Sequence, residues 1–562
     1  MSTADVQQFC AIAKEAGMDN SFGAKLAGMG AGGKFPSNIE RDLSRYMDTV
    51  FGCNCHVFQC KAFVRDIKSV CKEVDVGMLL PHEIAHWIWR IAPDAFAELF
   101  SVDRLEEFWR RTIIQNEEWF QNHPMRERIV GASDRSIFLA IHFFGDDGTL
   151  RKSRVMKTMT FFSALETRLS ALHSRIPCYV LPRHICLDDI TESRLQECLV
   201  WSMEMWLTGR FPNFGPSGED WAAGSLQSKL AGEQICGGYI GVYCGTVADA
   251  LWIDQHYRYE QSWSKVDICT RCCAQNAAGP TNFNRSIAFP RRSHDDYMRS
   301  GGAAQSPLSR MPGFWFTMTR PEPMHVGPLG ALPEAVGSAL IELCEEDAFG
   351  FGDVTPWQDR LNAQLREASR QFLLWGKRCN CEHTVKCFTR CGMSMYTLTL
   401  SFPHYKGKAH NCLVITRWLE SRCSQVAHVS EYSRLRAAVL FGWVDFFEVC
   451  GHTEDKDWLN PAELDRLDKS AQLIVHGMSS LARRNCEAGI PKWKTLPKLH
   501  QIYHINEDAQ KSHRPPRAFW SFKDEEMMGC LSKIACAVHA VKISSRPLQR
   551  WMMQFFSEII DA

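Results

Sequence analysis

The chain has no excess of charge: 64 lysines and arginines are balanced by 64 aspartates and glutamates over 562 residues. That balance excludes a globally basic nucleic-acid binder, although a local basic face can persist inside a neutral total. No basic stretch followed by an apolar one opens the sequence, since MSTADVQQFCAIAKEAGM is mixed from its second residue onward, and secretion is not expected. Long apolar runs are missing as well. The best of them, residues 437–447, is broken by Asp445 and is too short to span a bilayer, which predicts a buried helix and no membrane partner. No solenoid-type repeat recurs. The glycine-rich stretch at 28–33 lacks the strand-to-helix setting of a phosphate loop and is expected to be a flexible lead-in.

What is present is an ordinary globular composition, 45% apolar and 23% charged, in a chain long enough for two to four domains. The 24 cysteines, without a secretory opening, are expected as reduced thiols or metal ligands rather than as a disulfide framework. Helical periodicity runs from about 79 to 122, with Ile84, Trp87 and Ile88 on one face and Leu105, Phe108 and Trp109 on another. Residues 136–144 (SIFLAIHFF) predict a buried strand that ends at Gly145-Asp146-Asp147-Gly148, with residues 155–162 as its hairpin partner and 176–181 (IPCYVL) as a third strand. A helix over 192–207 places Leu195, Leu199 and Met203 at helical spacing, and a Pro/Gly-rich loop around 211–218 leads to a fourth strand at 239–244. Asp249 follows that strand.

Three strands, a helix and a fourth strand, with carboxylates after the first and the fourth, is the order an RNase H-like core requires. The plainer alternative makes GDDG a turn and Asp249 a helix cap. From 274 to 495 the pattern is mostly helical, with loop-like stretches at 277–290 and 301–313. At 525–541, Met527, Leu531, Ile534 and Val538 share a helical face, with Glu525 in the first turn. The expected fold is therefore α/β: an RNase H-like (retroviral-integrase-like) mixed sheet core interrupted by a large, mostly helical insertion, with a helical N-terminal region. The expected divisions are a lead-in over 1–75, a helical region over 76–130, the first part of the core over 131–273, the insertion over 274–495 and completion of the core over 496–562.

Asp146, Asp249 and Glu525 would supply hard oxygen ligands suited to a pair of Mg²⁺ ions, the requirement for phosphodiester cleavage and strand transfer. Cys269 and Cys272 form a C-x-x-C pair, and His500 and His504 lie one helical turn apart; together they offer a tetrahedral Cys₂His₂ zinc site. Such a site would tie the fourth-strand region to the segment just before Glu525.

The order GD, D, C-x-x-C, H-x-x-x-H, E resembles the eukaryotic cut-and-paste DDE transposases of the hAT, CACTA and Transib type. LLPHE, FGDDG, TVADALWIDQHY, DICTRCCA, PEPMHVGPLG, HYKGKA and FWSFKDEEMMG are similar to stretches of transposase-like proteins abundant in dinoflagellate genomes, over roughly residues 75–560. The resemblance implies Mg²⁺ or Mn²⁺ at Asp146, Asp249 and Glu525, Zn²⁺ at Cys269, Cys272, His500 and His504, transposon-end DNA as partner, compatibility with a homo-oligomer, and a nuclear setting. Two departures are visible: Ala248-Asp249 stands where the family has Gly-Asp, and Glu322-Pro323-Met324-His325 where it has Asp-x-Met-His. They leave open a decayed or domesticated copy, including a non-catalytic DNA-binding or scaffold protein that keeps the fold.

A rival reading rests on His82-Glu83-Ile84-Ala85-His86, an H-E-x-x-H with Glu106 twenty residues after His86. As a zinc metallopeptidase, His82, His86 and Glu106 would bind the metal and Glu83 would act as base. Pro81 at the first helical position argues against it, because His82 then lies in the helix's first turn. Two further clusters, Cys53, Cys55, His56 and Cys60, and Cys379, Cys381, His383, Cys387 and Cys391, have C-x-C spacing unlike structural fingers, and free thiols are expected. The basic stretch at 406–408 is expected to be solvated.

Overall fold

A computed structural model describes residues 57–561 except 66–68, 152–153, 277–288, 300–301, 303–304, 351–355, 398–400, 452–456, 537 and 539–543. The cluster formed by Cys53, Cys55 and His56 lies outside the described residues. The fold is mixed α/β. The chain opens with an antiparallel hairpin, β1 (Phe58–Arg65) and β2 (Cys71–Met78), then passes through helices α1 (Pro81–Ile91), α2 (Pro93–Leu99) and α3 (Val102–Gln115). Largely apolar runs next build a four-stranded sheet from β3 (Phe138–Arg151), β4 (Arg154–Ser163), β5 (Ile176–Pro182) and β6 (Ile240–Val247). Helix α4 (Asp188–Thr208) joins β5 to β6, and the short α5 (Ala250–His256) follows β6 directly. The spatial order is β5-β4-β3-β6, with β6 parallel to β3 and the other pairs antiparallel.

Strands β5 and β6 are buried along their whole length, the pattern of strands covered on both faces. Trp206 of α4 lies flat on β6: a Cβ on Gly241 would sit 2.4 Å from its ring. Gly209 ends α4 in the left-handed conformation (φ +76) and returns its N–H to the Met205 carbonyl at 3.1 Å. The sequence composition predicts a turn at GDDG, but β3 continues through it to Arg151, with Asp146 opposite Thr158 and Asp147 opposite Lys157. The two glycines serve close packing instead. A Cβ on Gly145 would come within 2.0 Å of the Trp252 ring of α5, and one on Gly148 within 2.6 Å of Met528.

From residue 332 onwards the chain is mostly helical: α6 (Leu332–Glu345), α7 (Trp357–Arg378), α8 (Ala409–Gln425), α9 (Glu431–Gly451), α10 (Pro461–Glu487) and α11 (Pro497–Ser512). These helices enclose a second apolar core of their own, from Val326 to Ala509. That core ends later than the predicted insertion, because α11 packs into it through Leu499, Ile502 and Ile505. Helix α10 shows how local sequence sets an end: Asn460 accepts the N–H groups of Ala462 and Glu463, Glu463 reaches back to the Asn460 N–H, and Pro461 fills the first helical position. Helices α12 (Phe522–Cys536) and α13 (Arg546–Asp561) then return to the sheet core, where α12 crosses β3. The helix predicted at 525–541 thus begins and ends earlier. The hairpin β1–β2, mostly within the stretch predicted as lead-in and running into the predicted helical region at 76–78, also joins the sheet core through Cys60, Ala62 and Val64. No helix among the described residues is long and apolar enough to cross a membrane.

Gly145→Ala should lower stability by about 1–3 kcal/mol, as overpacking against Trp252 requires. Gly529→Ala, on the exposed side of α12 with nothing within 4 Å of its Cβ, should raise stability by about 0.5–1 kcal/mol. Urea unfolding midpoints measured side by side check both, and an undisturbed Gly145→Ala variant would contradict the packing described.

Candidate functional site

Two groups of side chains meet where the sheet core faces the helical core. The first is fully buried. Cys269 and Cys272 stand on a loop after α5, and His500 and His504 share one face of α11 at i, i+4 spacing. Cys269 Sγ lies 3.2 Å from His504 Nε2, Cys272 Sγ 3.2 Å from His500 Nε2, and the two Nε2 atoms are 3.1 Å apart. All four ligand atoms fall within 4.8 Å of one another, the only such His/Cys/Asp/Glu group among the described residues. Four atoms bonded to one tetrahedral metal at about 2.0–2.3 Å are separated by roughly 3.3–3.8 Å, so the group could hold a metal ion. The surroundings orient the ligands. Arg271 donates its backbone N–H to Cys269 Sγ at 3.3 Å, and the Glu507 carboxylate sits 3.1 Å from His504 Nδ1.

The second group is acidic and more open. Asp146 projects from β3, Asp249 stands at the N-cap of α5, and Glu525 occupies the first turn of α12. Asp249 is indeed a helix cap, accepting the Trp252 N–H at 2.6 Å through Oδ1. Burial, with the negative charges of Glu525 and Asp249 nearby, pushes the Asp146 carboxyl up to about 7. Burial also raises Glu525, opposed by the neighbouring His325. A cation among these carboxylates would relieve the repulsion.

Adjacent acids are sorted by where they point. Asp147, one residue on and facing the other side of β3, lies 3.9 Å from Lys157 and 3.7 Å from Arg183. Asp524 is buried against Arg175, whose Nε donates at 2.8 Å, whereas Glu526 is exposed. Two residues to which the sequence assigns no role complete the cluster. His325 places Nε2 3.6 Å from Glu525 Oε1 and Nδ1 2.7 Å from Glu322 Oε2. Burial disfavours its charged form, but the hydrogen bond to Glu322 and the charges of Glu322, Asp249 and Glu525 raise its pKa overall. Glu322 also accepts the backbone N–H groups of Met324, His325 and Ser521. The signal for both was the Glu-Pro-x-His spacing, an N-cap acid followed by proline at the first helical position.

The metallopeptidase grouping is not assembled. His82 is buried with Nδ1 2.7 Å from Ser202 Oγ, and His86 Nδ1 accepts the Cys236 N–H at 3.0 Å. Trp201, Trp87, Trp89 and Phe211 pack around the two rings, filling the space a ligand would need. Glu106 points elsewhere and pairs with Arg135 at 2.8 Å. The second cysteine cluster is likewise dispersed: Cys379, Cys387 and Cys391 are exposed, and His383 packs on Phe372. Cys60 is buried with its Sγ 3.3 Å from that of Cys198. Compared with known proteins, the chain matches no family model and no curated protein.

Purified chain should carry one tightly held metal ion, released by thiol modification, and Cys269→Ser with His504→Ala should abolish both the metal and the chelator sensitivity of the unfolding midpoint. Full metal content in that double variant would refute the assignment. The buried histidines give a separate test. Burial pushes His82 down to about 3, whereas the unfolded value is about 6.5. The neutral ring therefore favours the fold fully above pH 6.5, and that contribution drains away as pH falls towards 3. The stability deficit of His82→Gln relative to the parent, read from urea midpoints, should shrink between pH 7 and pH 5; a constant deficit would contradict the burial.

Proposed function

We propose that the chain is an RNase H-like DDE-type nuclease or strand transferase of transposase ancestry. On this reading Asp146, Asp249 and Glu525 hold two Mg²⁺ or Mn²⁺ ions, and Cys269, Cys272, His500 and His504 hold a structural Zn²⁺. The observation that carries it is the approach of three carboxylates from three separate elements: burial, with the charges of Glu525 and Asp249 adding to it, raises Asp146 to about 7. The strand order β5-β4-β3-β6, with a parallel β3/β6 pair and the first acid on β3, supports the same assignment.

When bound, two such ions would activate the attacking oxygen and stabilise the leaving one in phosphodiester cleavage. The protein's own part is placement. Asp146 stands on the central strand, Asp249 is aimed by its capping bond, and Glu525 is aimed by the start of α12. His325, held by Glu322, lies against Glu525 and limits its rotamers. The buried Cys₂His₂ group fixes α11, and hence the connection into α12, against the loop after α5. DNA with transposon-type ends, a nuclear setting and compatibility with a homo-oligomer follow from this reading.

The test is Mg²⁺- or Mn²⁺-dependent nicking and strand transfer on DNA bearing candidate terminal repeats. Asp146→Asn, Asp249→Asn and Glu525→Gln should each reduce the rate by at least about 100-fold, the scale of removing an electrostatic contributor to a transition state. Asp147→Asn should stay within a few-fold of the parent, because Lys157 and Arg183 already claim that carboxylate. Nicking that survives both Asp146→Asn and Glu525→Gln would sink the proposal.

A further inference from the structure

Where the two cores meet, the segment that leads into the 322–326 turn and the connector between α11 and α12 border a partly open cavity of about 10 Å³. Arg320, Arg514, Asp508, Ile505, Pro516 and Phe519 are among its walls. Both arginines are more than nine-tenths buried, at 8% and 7% exposure. Arg320 gives Nη2 to Glu117 at 2.9 Å, but its buried Nη1 has no hydrogen-bond partner. Arg514 gives Nη2 to the Ala164 carbonyl at 2.6 Å, and its buried Nε has none. The ring of Phe519 stands 4.4 Å from Arg320 and 5.4 Å from Arg514, which supplies cation–π contact without accepting an N–H bond.

The nearby charges do not cancel. Arg320 is matched by Glu117, Arg271 by Asp508 at 3.3 Å, and Arg104 by Asp457 at 2.8 Å. Arg514 makes no ion pair among the described residues. A guanidinium keeps its proton at neutral pH, so burying one without an anion is costly. The surroundings feel the surplus. His142, buried beside Phe519, is held neutral by burial together with Arg514, Arg320 and Arg175, and burial pushes Arg514 itself down to about 10.

We propose that this cavity is an anion site that takes one halide-sized monovalent ion between Arg514 Nε and Arg320 Nη1. Its volume is on the order of one water-sized sphere, which suits a single-atom anion better than a phosphate or carboxylate group. The bound anion bolts the connector that carries Arg514 and Phe519 to the segment carrying Arg320, independently of any activity at the acidic cluster.

Thermal unfolding of the full chain at constant ionic strength tests this, with chloride or bromide exchanged against gluconate. The midpoint should rise by on the order of 1–3 °C as chloride replaces gluconate, since a ligand that binds only the folded state stabilises it. In Arg514→Met that rise should vanish. Equal midpoints in chloride and gluconate for the parent would overturn the proposal, and so would an undiminished chloride effect in Arg514→Met. Should the variant fail to fold, crystals of the parent grown in bromide decide the matter. An anomalous peak between the two guanidinium groups supports the site, and a water there, or nothing, refutes it.

Discussion

The carboxylate of Glu322 joins two parts of the chain that lie 199 residues apart, accepting the backbone N–H of Ser521 at one end and those of Met324 and His325 at the other. It is 2% exposed. Between these ends runs the whole helical core, and the entropic cost of closing so long a loop grows only with the logarithm of its length. Size is therefore not the difficulty; fastening is. Besides Glu322, the fasteners include the Cys₂His₂ group and the Arg271–Asp508 and Arg291–Glu507 pairs, each joining the segment before the helical core to α11.

The acidic cluster inherits its shape from that closure. Glu525 lies in the first turn of α12, four residues after Ser521, and His325 follows Glu322 by three, so one buried acid anchors the backbone next to both. The Arg175–Asp524 pair, packed on Phe162 at 3.9 Å, fixes the same turn of α12 to the sheet from the other side. A residue is thus held in place on two sides by groups that never approach the cluster's open face.

The apolar runs at 136–144, 176–181 and 239–244 were readable as strands because double burial leaves no alternation to interpret. GDDG misleads because glycine and aspartate are common in turns, whereas here the glycines make room for Trp252 and Met528, neither of which is near in sequence. The same gap between local and tertiary information explains HEIAH: its spacing is visible, but not the indoles and Phe211 that crowd both rings. The cysteine and histidine pairs were legible as pairs, and their meeting over more than 200 residues could be argued only from their order relative to the acids. Glu322 and His325 carry a readable helix-start pattern that says nothing about a carboxylate 200 residues further on. The hairpin β1–β2 escapes notice because only β1 alternates buried and exposed residues, while β2 opens with an exposed, charged stretch.

Helix α12 crosses β3 although 370 residues separate Asp524 from Arg154, the first residue of the neighbouring strand β4. During synthesis the sheet and the first two acids leave the ribosome long before Glu525 exists, and the helical core has to be completed in between. A nascent chain, or one interrupted anywhere in the helical core, holds two of the three carboxylates and a bare, uncovered face of β3. Assembly of the cluster therefore waits until α12 has been made, so a polypeptide that stops short of it cannot present all three carboxylates.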